Sequence, residues 1–259
     1  MYRPRFRFGL RSLLLMMLIA SALCGYYAWN AKHYAAIKNL VAEGNSVQWK
    51  RVTPTWVDRI LGVYRFDSVK LVRIDNPESN LGSISDLHSL EEFHSNHTHN
   101  DFSPLFPHAD TIRVFQLNSS SHLASEFLIK TENLEVFACN TWQQFDLAWL
   151  AANKNLKSLH ITNIVGGIEH LANFKELEYL NTPFELNSLE PIRGMKQLKH
   201  LSFSSAGIRS LEPIKDLKLL RALYFECPIP QQEIDAFIAS LPETVSAEGY
   251  SVLSEVVRE

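Results

Sequence analysis

Eight times along this chain an apolar residue is followed by a second three positions later, and in six of those by a third two positions further on. The clearest copies are Leu198-Lys-His-Leu201-Ser-Phe203 and Leu220-Arg-Ala-Leu223-Tyr-Phe225. The others begin at Val69, Leu90, Ile112, Leu134, Leu156 and Leu177, so the steps are 21, 22, 22, 22, 21, 21 and 22 residues. A fixed period of this length constrains the fold more than any composition does. A unit so short cannot enclose its own apolar row, so the units must stack and share one core.

Within each LxxLxL segment the alternation predicts a short strand with its apolar residues inward. After the strand, apolar residues recur at every third position, as in Ile208, Leu211, Ile214 and Leu217, or Leu81, Ile84 and Leu87. That spacing suits a 3-10 turn, in which i and i+3 share a face. Leu-Glu-Pro-Ile occurs twice, ending at Ile192 and Ile214, and proline is well placed in the first turn, where its missing N–H costs little. The expected fold is an α/β solenoid, right-handed as parallel crossovers are, with a concave parallel sheet of about eight strands. At about 4.8 Å per strand the sheet is roughly 34 Å long.

The pattern resembles the leucine-rich repeats of the internalin-like class, over residues 69 to about 227. That class commonly places an asparagine at the ninth position of the unit, where its amide bonds the turn backbone. Here the ninth positions include Ile164 and Ala206, so the turns must be satisfied in another way. Three stretches, RFGLRSLLL, Gly44-Asn-Ser-Val47 and PTWVDRILG, also resemble a group of membrane-anchored bacterial repeat proteins. That likeness implies an architecture rather than an activity.

Residues 12–29 form an 18-residue run without a charged side chain. As a helix it spans about 27 Å, close to the hydrocarbon thickness of a bilayer. Arg3, Arg5, Arg7 and Arg11 precede it, and Tyr26, Tyr27 and Trp29 close it. Basic residues stay on the cytoplasmic side and aromatic rings favour the interface. The expectation is a single-pass anchor with the N-terminus inside and the repeats outside the cytoplasm. A cleaved signal peptide ending near Ala20-Ser21-Ala22 is the alternative; lipidation at Cys24 is disfavoured by Leu23 before it. Setting the four arginines aside leaves 21 basic against 28 acidic side chains, a balance that argues against a nucleic-acid surface. Three cysteines without a CxxC pair provide no disulfide or zinc framework.

A solenoid also needs its ends covered. Residues 31–43 read as a helix with Tyr34, Ile37 and Val41 on one side and Gly44 as its stop. Residues 47–51 alternate like a strand, and 54–61 read as a short helix. A helix from Pro230 through Ser240 has Ile234, Phe237, Ile238 and Leu241 as its inner stripe, and residues 245–252 suit a last edge strand. The expected division is 1–29 basic N-terminus and membrane segment, 30–68 juxtamembrane helix and cap, 69–227 repeats, and 228–259 C-terminal cap.

No phosphate-cradling glycine loop, G-x-S-x-G or H-E-x-x-H is present. Five of the ten histidines, His88, His94, His97, His99 and His108, fall within 21 residues. Their spacing matches no metal-ligand frame, and the register separates them: His94 on the outward sheet face, His97 and His99 on the turn after the strand, His88 on the preceding turn. No catalytic residue, metal or cofactor is expected. The face that can bind is the outward side of the sheet, where Arg73, Glu92, His94, Gln116, His160, Tyr179, Asn181, His200, Ser202 and Tyr224 alternate with the inward residues. Aromatic rings beside amides suit a protein partner. Asn96, Asn118 and Asn140 fall one per unit and suit a structural amide ladder. The functional expectation is a membrane-tethered module binding a protein of unspecified identity. Alternatives are a self-associating envelope protein and, less favoured, a metal-dependent enzyme using residues 88–108.

Overall fold

Each of the eight LxxLxL segments forms a strand. They are β2 (Phe66–Ile74), β3 (Leu90–Ser95), β4 (Val114–Leu117), β5 (Val136–Cys139), β7 (Ser158–Ile161), β9 (Tyr179–Thr182), β10 (His200–Ser204) and β11 (Ala222–Cys227). The structure is a computed structural model that describes residues 10–51, 66–97, 99, 101–118, 125–140, 144–182, 186 and 188–251. Two end strands, β1 (Ser46–Arg51) and β12 (Ser246–Ser251), extend the expected eight to a ten-stranded sheet in the order β1-β2-β3-β4-β5-β7-β9-β10-β11-β12. Strand β1 is antiparallel to β2, and every other pair is parallel. A separate two-stranded ladder joins β6 (Phe145–Asp146) to β8 (Ile164–Gly166). The expected helix at 54–61 and the last residue of the expected edge strand, Val252, lie outside the described residues.

The register stacks like on like. Phe93, Phe115, Phe137, Leu159, Leu180, Leu201 and Leu223 are successive pairing partners, and all are fully buried. Burial of such side chains stabilises by about 1.5–3 kcal/mol each. The core changes character along the solenoid. Phe115 lies 5.5 Å from Phe93, 5.1 Å from Phe127 and 6.1 Å from Phe137, ring centre to ring centre, and Phe137 lies 5.2 Å from Phe145. From β7 onward this inward row is leucine, while two positions further along the last repeat strands Phe203 meets Phe225 at 5.5 Å.

The predicted 3-10 turns carry the chain back, at Leu81–Asp86, Ser103–His108, Leu147–Leu150, Ile168–Asn173, Glu190–Ile192 and Glu212–Ile214. Both Leu-Glu-Pro-Ile prolines sit in the first turn. Beside Ala206, where the turn has no asparagine, serine serves: buried Ser205 donates to the Leu186 carbonyl and accepts from Gly207 N–H at 3.0 Å. Asn153, also fully buried, accepts from Leu134 N–H at 2.9 Å and donates to Thr131 Oγ1 at 3.1 Å.

One helix of 33 residues, α1 (Leu10–Ala42), leads into the solenoid. At 1.5 Å per residue it is about 50 Å long. Its docked stripe is His33, Ala36, Ile37 and Leu40. This corrects the expected stripe, since Tyr34 and Val41 point to solvent. Positions 33, 36, 37 and 40 follow the i, i+3, i+4, i+7 rule, and an apolar count passes over the histidine among them. Gly44, at φ +88°, ends the turn in a conformation that favours glycine. The Asn45 amide then fastens the connection, accepting from the N–H groups of Asp75 (3.1 Å) and Asn76 (3.3 Å). At the other end the helix Gln231–Ser240 buries Ile234, with Phe237, Ile238 and Leu241 partly covered, as expected. Strand β12 closes over Phe225 at Gly249, where a Cβ would stand 2.4 Å from the ring.

Candidate binding face

Side chains that alternate with the inward row form two outward rows, and strand pairing places all ten expected residues on them. Arg73, His94, Gln116, Ala138, His160, Asn181, Ser202 and Tyr224 are successive partners in one row. Glu92 and the neighbouring pair Tyr179 and His200 lie in the other. They share a face, but their surroundings differ.

Toward the N-terminal end the polar groups are engaged with one another. The Arg73 guanidinium turns to Asp75 (2.9 Å) and Ser46 (3.2 Å), and Lys70 reaches Glu92 at 3.4 Å. Burial alone would push the Asp75 carboxyl up, but hydrogen bonds from Ser46 and Arg73 outweigh it and hold it below its usual range. His94 is half-buried, and its Nε2 is enclosed without a hydrogen-bond partner among the described residues. Burial pushes its pKa down, against the pull of Glu92. The expected amide ladder is present and runs one way. Asn118 donates to Asn96 at 2.6 Å, Asn140 donates to Asn118 at 3.2 Å, and His160 Nε2–H donates to Asn140 Oδ1.

Toward the C-terminal end the face is open. Tyr179 is 39% exposed and Tyr224 is 45% exposed, with His200 also exposed. The Tyr179 and His200 rings are tilted against each other at 5.8 Å. Asn181 Nδ2 lies 3.4 Å from the Tyr179 hydroxyl.

The clustered histidines do not converge. His88 stacks on α1, with its ring centre 3.3 Å from that of Trp29 and 3.9 Å from that of His33. His97 Nε2–H donates to the Asp75 carbonyl at 2.9 Å, and His99 bonds the Ser95 hydroxyl at 2.8 Å. His108 Nε2–H donates to the Ile84 carbonyl at 2.9 Å. His99 and His108 are buried, and burial pushes both pKa values down. Among the described residues no three His, Cys, Asp or Glu side chains are grouped so as to hold a metal.

A second surface was missed by reading along the chain. The second position of every unit is charged: Lys70, Glu91, Arg113, Glu135, Lys157, Glu178, Lys199 and Arg221. They line the edge where the chain runs into the strands. Glu135 takes Arg113 at 2.8 Å and Lys157 at 2.7 Å, and Lys199 takes Glu178 at 2.6 Å. The Lys157 hydrogen bond, with Arg113 behind it, holds the Glu135 carboxyl below its usual range, and Lys157 is raised in turn. A groove of about 590 Å³ follows this edge, lined by Glu91, Asp110, Arg113, Glu135, Lys157 and Glu176 among others. The signal was available in the aligned units, as a column of charge beside the first apolar residue.

Neither protein-family models nor curated protein sequences match this chain. Solved structures do. Internalin C2 of Listeria monocytogenes superimposes with a TM-score of 0.54 at 16% identity, over 74% of this chain and 90% of that one. The Listeria monocytogenes internalin of the F type gives 0.49 at 16%, over 71% and 69%. At such identity the likeness is one of fold: the chain has an internalin-like leucine-rich-repeat solenoid, preceded by an apolar helix.

Proposed function

We propose that this chain is a non-enzymatic, membrane-tethered binding module that presents the outward, concave-side face of its sheet to a protein partner outside the cytoplasm. The observation that carries the reading is the row of exposed rings at Tyr179, His200 and Tyr224, carried on a rigid backbone of successive strands. Tyrosine supplies contact area at small conformational cost and is enriched among residues that dominate binding energy. The internalin-like fold supports protein binding by analogy of architecture. The binding set under this proposal is Arg73, Glu92, His94, Gln116, His160, Tyr179, Asn181, His200, Ser202 and Tyr224.

Tethering is supported by α1, whose residues 14–19 are all exposed and apolar, and which is long and apolar enough to cross a membrane. With Arg3, Arg5, Arg7 and Arg11 before it, the proposed topology is N-terminus inside and repeats outside. The proposed division is 1–29 anchor, 30–68 juxtamembrane cap, 69–227 repeats and 228–259 C-terminal cap.

The test is cross-linked capture from native membranes by the full-length chain, beside a variant carrying Tyr179→Ala, His200→Ala and Tyr224→Ala. A distinct protein held by the wild type and lost by the variant is the expected result. Capture that is unchanged in the variant overturns the assignment of the face. Recovery of the chain's own copies alone replaces the reading with a self-associating envelope element.

A further inference from the structure

We propose that the first repeat mounts the solenoid rigidly on the lipid headgroup layer, with the ring stack Trp29–His88–His33 as the coupling, so that the outward sheet face keeps one direction relative to the bilayer. This rests on the reading of α1 as a membrane anchor. The partner it adds is the bilayer surface itself, contacted by the solenoid and not only by the anchor.

Three observations carry it. First, α1 is continuous from Leu10 to Ala42 and contains no proline. Between Arg11 and its outer end at Trp29, the uncharged run of residues 12–29 spans about 27 Å, close to the thickness of the hydrocarbon core. The remaining 13 residues lie beyond the bilayer and include the docked stripe. Second, the change from exposed to buried is abrupt. Trp29 is 54% exposed, whereas His33, one turn later, is 2% exposed. The repeat body therefore begins within about 6 Å of the aromatic belt. A disordered linker would let the solenoid sweep a wide volume, but no linker separates them.

Third, the helix is held at two separated points. At the membrane end the His88 ring lies between Trp29 and His33, His88 N–H donates to His33 Nδ1 at 3.1 Å, and His88 Nε2 lies 3.4 Å from the Trp29 carbonyl. At the far end Asn45 grips the backbone of Asp75 and Asn76, and Asn76 Nδ2 donates to the Glu43 carbonyl at 2.8 Å. Two attachments along one rigid rod remove the swing that a single pivot allows. The chemistry at the first point suits headgroups. Trp29 and Tyr27 present exposed rings, and exposed Lys32 follows one turn outward, where its cation meets lipid phosphate.

The test uses the full-length chain in nanodiscs of phosphatidylcholine and phosphatidylglycerol, with a fluorophore at Thr244→Cys. Time-resolved anisotropy is expected to decay to a high plateau, and a nitroxide at Ser89→Cys is expected to be relaxed by a nickel chelate carried on lipid headgroups. Trp29→Ala with His88→Ala should lose the plateau, while His88→Phe, which keeps a ring in the stack, should retain it. Release of the wild type by carbonate overturns the anchor and this proposal together. Retention with a wild-type plateau near zero, or with no relaxation at Ser89→Cys, overturns this proposal alone. So does a plateau that survives loss of the stack in a variant whose circular dichroism matches the wild type.

Discussion

The outward face of strands β3 to β7 and that of β9 to β11 are built on the same inward pattern, yet they offer a partner different things. Along the central strands, Asn96, Asn118 and Asn140, each just past a strand end, bond one another and His160 in series, and His94 is half-buried. A ligand that covers them must replace hydrogen bonds already made, and gains little. On β9 to β11, Tyr179, His200 and Tyr224 stand in water. Covering those rings removes apolar area from solvent at no such cost. Beneath the two regions the core differs as well: the paired inward row is phenylalanine at Phe93, Phe115 and Phe137 under the first and leucine at Leu180, Leu201 and Leu223 under the second. The inward residues of a solenoid set its fold, and the outward ones are free to be either a sealed surface or an adhesive one.

The largest expected effect lies in the core. Phe115→Ala removes a ring within 6.1 Å of Phe93, Phe102, Phe127 and Phe137. It should cost about 3–5 kcal/mol of stability in urea denaturation. Because the units couple only to their neighbours, the transition should also broaden as the two ends separate. Leu201→Ala on β10 should cost less, within the roughly 2–5 kcal/mol range for leucine. A larger loss at Leu201 than at Phe115 would remove the aromatic stack as the distinguishing feature of the central core.

Next comes binding. Tyr224→Ala should weaken the captured partner by about 2 kcal/mol, near 30-fold. Gln116→Ala, on the same row but over the central strands, should change affinity by less than about 0.5 kcal/mol. Titration by surface plasmon resonance compares the two. Equal losses would mean that the binding energy is spread evenly over the face rather than concentrated on the exposed rings, and the contrast between the halves would vanish.

Much of this arrangement was legible in the aligned units. The 21- to 22-residue step located every repeat strand, every-third apolar spacing located the 3-10 turns, and register placed Asn96, Asn118 and Asn140 on one line. What escaped was carried by residues whose type hid their place. His33 and His108 sit where an apolar side chain belongs, so a search for apolar stripes passes over them. The Trp29–His88 stack joins residues 59 apart and belongs to no period. The charged column from Lys70 to Arg221 was visible, but only when the units are read across rather than along. Physical context, not residue identity, decided these.

Acid should find the central half first. Burial pushes the His108 pKa down despite its bond to the Ile84 carbonyl, and burial lowers His94, His99 and His160 too. A group with a depressed native pKa binds fewer protons folded than unfolded. Its contribution is therefore complete above the unfolded value of about 6.5 and is lost as pH falls through the native value. Each such histidine adds a slope of at most about 1.4 kcal/mol per pH unit. His108→Gln, which keeps an amide donor for Ile84, should flatten the stability profile as pH falls below about 6.5. Denaturation at a series of pH values checks this, and a profile as steep in the variant as in the wild type would take the acid sensitivity away from His108.

The smallest effect concerns the charged edge. Glu135 holds Arg113 and Lys157 at once, whereas Glu178 holds Lys199 as its closest partner. Glu135→Gln leaves two cations facing one another with no acid between them. It should lose about 0.2–1 kcal/mol at low ionic strength, and Glu178→Gln should lose less. Because both sites are open to water, molar salt should erase the difference. The Lys157 bond keeps the Glu135 carboxyl ionised below its ordinary range, so its contribution is present above the unfolded carboxylate pKa and disappears as pH falls through the lower native value. Denaturation of the two variants at low and high salt tests this. A deficit at Glu135 that survives molar salt would show that the carboxylate's direct hydrogen bonds to Arg113 and Lys157, rather than screened charge, hold this edge, and would make the edge of the central half as tightly sealed as its face.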